Sequence, residues 1–134
     1  MVSIFLAEDQ QMLNSALVML LDLEDNFSVV GTETDGQAAL EKVIMLKPDV
    51  AILDIEMPGL SGLEIAKQLR LMKLDIKIII LTTFARSKYF KDALAAKVNG
   101  YLLKDSLSDS LVNAIKTIMT VSYTHLTLPT TPYV

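Results

Sequence analysis

Apolar segments of strand length alternate along the chain with segments in which apolar residues recur every three or four positions. The short segments predict β-strands and the periodic ones predict α-helices. The segments Val50 to Leu53 and Ile78 to Leu81 contain no polar residue, which is typical of central strands in a parallel sheet covered on both faces. The predicted strands are Val2 to Ala7, Phe27 to Gly31, Asp49 to Leu53, Ile76 to Thr82 and Gly100 to Leu103. The predicted helices are Gln10 to Leu23, Gly36 to Leu46, Gly62 to Leu71, Lys88 to Lys97 and Ser108 to Met119.

Proline and glycine mark the boundaries between these segments. Lys47–Pro48 ends the second helix, Pro58–Gly59 forms a turn after the third strand, and Asn99–Gly100 follows the fourth helix. A chain with this (βα)5 order and right-handed crossovers forms a doubly wound α/β sandwich. We expect the second strand to lie at an edge of the sheet and the first, third and fourth strands to lie inside it.

Composition narrows the class of protein. The 134 residues fit one domain, with 51% hydrophobic residues, no cysteine and a formal net charge of −4. The negative charge argues against direct nucleic acid binding, because phosphates require a cationic surface. No apolar run is long enough to span a membrane, and residues 1–6 lack a basic signal-peptide start. We therefore expect a cytoplasmic protein without a membrane partner.

The end of the chain departs from the alternating pattern. Residues 121–134 contain no charged side chain and no helical period. We expect residues 1–120 to form the domain. Residues 121–134 are interpreted as a non-native or linker tail outside the fold.

Polar residues follow four of the five predicted strands. In a parallel α/β sheet the ligand site lies beyond the carboxyl ends of the strands, so these residues are candidates for one site. They are Glu8, Asp9, Asp54, Glu56, Thr82, Thr83 and Lys104. Clustered carboxylates repel each other unless a cation is present, and oxygen ligands without histidine or cysteine favour Mg²⁺. The sequence therefore predicts a magnesium site.

Asp54 is the candidate nucleophile of this cluster. It follows an entirely apolar strand, and a carboxylate can attack phosphorus to form an acyl phosphate. Lys104 would supply positive charge to the phosphoryl oxygens, and Thr82 would donate a hydrogen bond to them. Each residue alone has a simpler interpretation, as a helix cap, a surface charge and a strand-forming residue respectively. Their joint placement at strand ends favours the functional interpretation.

These residues resemble the receiver domains of two-component response regulators, and most closely those of the LuxR/NarL subfamily. The resemblance covers about residues 2–119 and rests on several ordered motifs. They are Ala7–Glu8–Asp9, Asp54–Ile55–Glu56–Met57–Pro58–Gly59 with Gly62, Ile79 to Phe84, and Gly100 to Asp105. The resemblance implies a flavodoxin-like (CheY-like) five-stranded parallel sheet with strand order 2-1-3-4-5.

The resemblance also implies functional roles. Asp54 would accept a phosphoryl group from a sensor histidine kinase, with Thr82 and Lys104 holding the phosphoryl oxygens. Tyr101 would rotate inward when Thr82 is drawn toward the phosphate, so that a local charge biases a two-state surface. The implied Mg²⁺ ligands are Asp9, Asp54 and the backbone carbonyl of Glu56, with Glu8 acting through water.

The chain also departs from the family pattern. Asp105 follows Lys104 where many receivers have proline, which leaves the local loop geometry open. Phe84 is bulky and apolar, and we expect it to shield an acyl phosphate from water. Chains of this subfamily usually continue into a helix-turn-helix domain, so control of transcription would require a DNA-binding domain absent from these residues.

The first helix carries more apolar residues than one buried stripe needs. Leu13, Leu17 and Leu20 suit the core face, which leaves Val18 and Met19 as an exposed apolar patch typical of association surfaces. We expect a homodimer through the first and last helices on phosphorylation. A surface around the fourth helix and fifth strand is the alternative, and imperfect amphipathicity without function is the simplest interpretation.

Two other functions fit parts of the sequence. A phosphohydrolase with an aspartyl nucleophile would need a second aspartate two residues on, where this chain has Glu56. A flavodoxin-like mononucleotide-binding module would need a glycine-rich loop after the first strand, where this chain has carboxylates. We therefore expect a signalling domain, which is not an enzyme beyond its own phosphorylation and slow dephosphorylation.

Overall fold

The computed structural model describes residues 1–84, 86–106 and 108–120. Strands and α-helices alternate over this part of the chain, which confirms the predicted α/β fold class. The strands are β1 (Val2–Ala7), β2 (Phe27–Glu33), β3 (Val50–Asp54), β4 (Lys77–Thr82) and β5 (Gly100–Leu103). The helices are α1 (Gln11–Asp22), α2 (Gly36–Leu46), α3 (Gly62–Leu71), α4 (Ser87–Ala95) and α5 (Ser108–Thr120), with a 3₁₀ turn at Lys104–Ser106.

The strands form one parallel sheet in the order β2-β1-β3-β4-β5. This is the predicted order, with β2 at an edge as expected and β5 at the other edge. All residues of β3 are buried, because helices cover both faces of the sheet. Val30 is an extra residue in β2, where the pairing with β1 shifts register, and this bulge interrupts the ladder at the edge.

Two apolar cores lie on opposite faces of the sheet. Helices α2, α3 and α4 enclose one core, which contains Phe5, Leu53, Ile80 and Tyr101. Helices α1 and α5 enclose the other core, which contains Ile52, Leu81 and Ile115. The sheet is thus held rigidly between two layers, and the carboxyl ends of its strands are fixed relative to one another.

The buried face of α1 differs from the prediction. Asn14, Leu17 and Leu21 are its buried residues, while Leu13 and Leu20 flank them and are only partly buried. Asn14 turns inward, and its side chain donates to the backbone carbonyls of Glu8 and Glu33 at the ends of β1 and β2. The buried face of α1 therefore includes one polar residue, Asn14, whose side chain is hydrogen-bonded.

Several element boundaries differ from the sequence prediction by one or two residues. Helix α4 ends at Ala95, and Lys97 follows it with a left-handed φ of 56°. Asp49 lies outside β3, and its carboxylate accepts bonds from the backbone N–H and the hydroxyl of Ser3. Within the described residues, no helix is both long and apolar enough to cross a bilayer.

Candidate functional site

The strand register brings the predicted residues to one edge of the sheet. Asp54 ends β3 opposite Leu81, which directly precedes Thr82. Thr82 ends β4 opposite Leu103, which directly precedes Lys104. On the other side of β3, Leu53 pairs with Ala7, and Glu8 and Asp9 follow Ala7. Carboxyl ends of parallel strands point the same way, so four separate parts of the chain meet here.

Lys104 joins the two buried carboxylates of this edge. Its Nζ lies 2.9 Å from Asp54 Oδ2 and 3.0 Å from Glu8 Oε1. The Glu8 and Asp54 side chains are fully buried, and 11% of the Lys104 side chain is exposed. The burial of three charges together is tolerable because the ammonium neutralises part of the negative charge.

The ionisation of these groups is shifted by their surroundings. The pKa of Asp54 is raised from 3.8 to about 7, because burial, the largest cause, outweighs the bond from Lys104 that lowers it, and the negative charge of Glu8 adds to the rise. The bonds from Lys104 to Asp54 and Glu8 raise the pKa of Lys104, although burial acts in the opposite direction. Lys104 is therefore a permanent cation at neutral pH, whereas Asp54 is poised near its point of ionisation.

The loop after β1 holds Glu8 in place. Glu8 Oε2 accepts a bond of 2.9 Å from the backbone N–H of Gln10. The Asn14 side chain donates to the carbonyls of Glu8 at 3.1 Å and Glu33 at 3.4 Å. The sequence analysis did not identify Asn14. The feature that could have identified it is the presence of a polar residue within the apolar stripe of α1.

The loop after β3 is shaped by a close helix approach. A Cβ at Gly62 would lie 2.4 Å from the backbone oxygen of Asp54, so only glycine fits at this position. Ser61 and Glu64 form a capping box that fixes the start of α3 beside it. The backbone N–H of Glu56 donates to Asp54 Oδ1 at 3.1 Å, which orients the carboxylate.

Thr82 is fully buried, and its hydroxyl is bonded locally. Oγ1 donates to the carbonyl of Phe84 at 3.0 Å and accepts from the N–H of Phe84 at 3.2 Å. Phe84 is half exposed, and Thr83 is also exposed. Shielding by the Phe84 ring remains a prediction.

Tyr101 lies inside the core that is covered by α2, α3 and α4. Its ring packs edge-on against Phe90 with centroids 5.6 Å apart, and 6% of the residue is exposed. Burial raises the pKa of Tyr101, and the charges of Tyr89 and Glu56 add to the effect. The ring thus already occupies the inward position that the resemblance associates with activation.

The acidic cluster suits a hard cation. One carboxylate oxygen from each of Glu8, Asp9 and Asp54 lies within 4.8 Å of the others. These are oxygen ligands only, which is the donor set that Mg²⁺ prefers. Asp9 is exposed while the other two are buried, so the cluster opens to solvent on one side.

The two residues of the predicted dimer surface differ in exposure. Met19 is 70% exposed, whereas Val18 is partly buried against the core beneath α1 and α5. Met12 is exposed on the same helix, and Leu23 is exposed directly after its end. Leu111, Ile115 and Ile118 are buried, as expected for the core face of α5.

The backbone conformation around Asp105, which the sequence left open, is defined by a turn that begins at Lys104. Lys104–Ser106 form a 3₁₀ turn, and no cis peptide bond occurs in the described part of the chain. The predicted tail, residues 121–134, lies outside the described residues.

The family model described as "Response regulator receiver domain" matches residues 4–116. The transcriptional regulatory protein DesR of Bacillus subtilis is 58% identical over 119 residues, covering 89% of this chain and 59% of that protein. The uncharacterized transcriptional regulatory protein YvfU of the same organism is 50% identical, covering 87% of this chain and 58% of that protein. The chain therefore spans a little over half the length of these relatives.

Solved structures agree with the topology. A DNA-binding response regulator of the LuxR family from Staphylococcus aureus superposes with a TM-score of 0.85 at 40% identity, covering 88% of this chain and 98% of that chain. The response regulator domain of CheB from Thermotoga maritima has a TM-score of 0.82 at 26% identity, covering 91% of this chain and 98% of that chain.

Proposed function

This chain belongs to the response regulator receiver domain family, and from that membership we propose that it is a phosphorylation-activated switch. In this proposal Asp54 accepts a phosphoryl group from a cognate sensor histidine kinase. The observation that carries it is the buried bridge from Lys104 to Asp54 and Glu8. The predicted LuxR/NarL resemblance is confirmed by the relatives, which include regulators of that type.

The transfer itself requires a nucleophile, charge neutralisation and a donor. A carboxylate oxygen of Asp54 forms a bond to phosphorus while the phosphorus–nitrogen bond of phosphohistidine breaks, and the imidazole leaves with the bonding electron pair. Lys104 moves its positive charge from the carboxylate to the phosphoryl oxygens. The ionised form of Asp54 is needed, so its pKa near 7 is functionally relevant.

Mg²⁺ is the proposed cofactor. Asp9, Asp54 and the backbone carbonyl of Glu56 would hold it, with Glu8 acting through water. When bound, it would offset negative charge on the carboxylates and the phosphoryl group. The Glu8, Asp9 and Asp54 cluster supports this assignment because one carboxylate oxygen of each residue lies within 4.8 Å of the others.

Thr82 and Tyr101 are the proposed switch residues. The Thr82 hydroxyl has one proton, which it now donates to the Phe84 carbonyl. Donation to a phosphoryl oxygen would release that carbonyl and change the loop before α4. The buried position of Tyr101 would then be favoured, and the altered surface would pass the signal on.

The proposal is tested by intact mass spectrometry after incubation with acetyl phosphate and Mg²⁺. We expect the wild-type chain to gain the mass of one phosphoryl group and Asp54→Ala to gain none. Omitting Mg²⁺ should suppress the gain in the wild type. An equal gain by Asp54→Ala would contradict the assignment of Asp54.

Family membership favours a signalling domain over the phosphohydrolase and the mononucleotide-binding module considered above. The relatives are transcriptional regulators, so we propose that this domain controls transcription in the cytoplasm through a DNA-binding domain outside these residues. The domain itself is not proposed to bind nucleic acid.

We also propose that phosphorylation promotes a homodimer through the exposed face of α1 and the adjacent α5. Exposed Met12, Met19 and Leu23 support this surface, since exposed apolar clusters mark association sites. Val18 would contribute its exposed edge.

A charge at this face is expected to weaken the dimer. Met19→Asp should reduce association in the presence of beryllofluoride by about tenfold or more, because a carboxylate would be buried in an apolar contact. Sedimentation velocity measures this, and Met45→Asp on α2 is the matched control because Met45 is 73% exposed. Met19 is preferred to Val18 for this test because Val18 also packs against the core. Unchanged association of Met19→Asp would exclude the α1 surface.

A further inference from the structure

The buried face of helix α1 contains one polar side chain that the proposed chemistry does not use. Asn14 is 3% exposed and lies on the same face as the apolar residues Leu17 and Leu21. A buried amide is unfavourable unless its hydrogen bonds are made, whereas an apolar side chain at such a position carries no such penalty. Packing alone therefore does not account for an asparagine at this position.

The Asn14 amide joins the ends of two neighbouring strands. Its nitrogen donates to the carbonyl of Glu8 at 3.1 Å and to the carbonyl of Glu33 at 3.4 Å. Glu8 directly follows β1, and Glu33 is the last residue of β2. The Glu8 N–H also donates to the Glu33 carbonyl at 3.0 Å. An amide group has two N–H donors, so one neutral side chain can hold both carbonyls at the point where the chain leaves β1.

The loop that begins at this point carries two of the three clustered carboxylates. Glu8 and Asp9 each contribute one oxygen to the cluster with Asp54. The buried Glu8 carboxylate lies 3.0 Å from Lys104 Nζ through one oxygen and accepts from the Gln10 N–H at 2.9 Å through the other. The direction in which the loop leaves β1 therefore determines where the carboxylates of Glu8 and Asp9 lie relative to Asp54.

Asn14 also connects this loop to helix α1. The N-cap residue of α1, Gln10, makes no side-chain capping bond, and the first turn of the helix contains no acidic residue. The Asn14 N–H donates to the Gln10 carbonyl at 2.8 Å, while its side chain bonds Glu8 and Glu33. Asn14 thus holds the loop from both ends, through its backbone at Gln10 and through its amide at Glu8.

We propose that Asn14 is a positioning residue for the metal site, whose amide fixes the loop of Glu8 and Asp9 so that their carboxylates converge with Asp54 on Mg²⁺. The inference rests on the proposed function, because it assigns a support to the proposed Mg²⁺ ligands. Groups that hold metal ligands in place affect metal affinity without touching the metal. A neutral amide suits this place, because a cation would compete with the metal and an anion would repel the carboxylates.

The test compares Asn14→Leu and Asn14→Ala, which both remove the donor but differ in volume. Mg²⁺ affinity is measured by NMR titration of the full chain at a temperature where circular dichroism shows each variant to be folded. Loss of a group that holds metal ligands typically weakens metal binding by about 10- to 100-fold, so both variants should bind Mg²⁺ about tenfold more weakly than the wild type, or worse. Wild-type affinity in either folded variant would overturn the inference, and Asn14→Leu supplies apolar packing if Asn14→Ala unfolds.

Leu17→Ala is the matched control, because Leu17 lies on the same buried face of α1, three residues after Asn14. Shortening a core leucine destabilises the fold but leaves the amide in place. The folded Leu17→Ala variant should therefore bind Mg²⁺ as the wild type does. If it bound Mg²⁺ as weakly as Asn14→Leu, lost stability rather than the lost amide would explain both results, and the inference would be wrong.

Hydrogen exchange provides a readout that needs no metal. The N–H groups of Glu8 and Gln10 are both bonded within the loop region. In metal-free Asn14→Leu they should exchange at least about fivefold faster relative to a core amide such as that of Ile52, because one net hydrogen bond changes a local opening equilibrium by roughly this factor. In Leu17→Ala this ratio should match the wild type. Unchanged relative exchange in Asn14→Leu would show that Asn14 does not order the loop.

Failure of this inference is distinguishable from failure of the proposed function. Intact mass after acetyl phosphate and Mg²⁺ treatment reports phosphoryl uptake by the wild type without any Asn14 variant. If the wild type takes up the phosphoryl group while Asn14→Leu binds Mg²⁺ normally, only the positioning role is lost. If Asp54→Ala gains as much mass as the wild type, the assignment of the phosphoacceptor fails instead.

Discussion

Replacing Asp54 with asparagine is expected to stabilise the metal-free protein near neutral and alkaline pH while abolishing phosphoryl uptake. The carboxylate is fully buried beside Glu8, and burial is the main cause that raises its pKa from 3.8 to about 7. Asparagine has nearly the same shape without the charge. Asparagine removes the unfavourable free energy of burying the Asp54 charge, and Lys104 retains Glu8 as a partner.

The pH dependence has a definite sign. Between the unfolded pKa of 3.8 and the folded pKa of about 7, the folded state holds a proton that the unfolded state has lost. Stability from this group is therefore complete below about pH 4 and falls as pH rises to about 7. The whole pKa shift of Asp54 corresponds to roughly 4 kcal/mol of folding free energy. We therefore expect Asp54→Asn to raise the free energy of unfolding by about 2–4 kcal/mol at about pH 8.

Urea unfolding in the presence of a chelator measures this difference. The gain of Asp54→Asn should disappear at about pH 4, where the wild-type carboxyl is already neutral. Asp25→Asn is the matched control because Asp25 is exposed, and it should show neither effect. A gain of equal size at both pH values would show that the buried charge is not its cause.

Lys104→Met is expected to have the opposite effect on the metal-free protein. The substitution leaves Glu8 and Asp54 buried without their shared cation. Breaking a buried ion pair from one side typically costs about 3–5 kcal/mol. The loss should be largest at about pH 8 and smaller at about pH 4, because protonation of the carboxylates removes their repulsion.

The same variant should bind Mg²⁺ more tightly than the wild type. The Lys104 ammonium occupies the Asp54 and Glu8 oxygens at 2.9 and 3.0 Å, so a metal ion competes with it. Two unit charges about 4 Å apart interact by about 4 kcal/mol near a protein surface, so a gain of at least about tenfold is expected.

Unfolding midpoints over a Mg²⁺ titration give this affinity, because a ligand of the folded state stabilises it by mass action. Lys91→Met, at an exposed position of α4, controls for loss of a lysine. Equal or weaker Mg²⁺ binding by Lys104→Met would contradict competition between the ammonium and the metal.

The sequence predicted the strands, the helices and the acidic site because each has a local signal. Buried parallel strands are apolar throughout, as in Val50–Asp54, and the polar residues after them stand out against these runs. The edge position of β2 followed from its weaker apolar character. Element ends were predicted to within a few residues, since caps such as the left-handed Lys97 depend on contacts beyond the helix.

The roles of other residues depend on contacts between distant parts of the chain. The buried Asn14 interrupts an apolar stripe, and its role appears only when β1 and β2 bring the carbonyls of Glu8 and Glu33 together. Arg70 similarly donates to the carbonyls of Leu74, Ile76 and Lys97, which connects three segments at the other end of the sheet. Gly62 is required because the Asp54 backbone approaches it.

The sequence by itself determined the order of the elements and the identity of the acidic, basic and hydroxyl groups, because these depend on residue type and local period. Only the tertiary structure decided that Lys104 bridges Asp54 and Glu8, that Val18 packs against the core, and that the Tyr101 ring packs against Phe90. These facts depend on register and helix rotation, which place residues up to 96 positions apart in contact. Burial then sets the strength of each charge interaction, and burial is a property of the packed molecule alone.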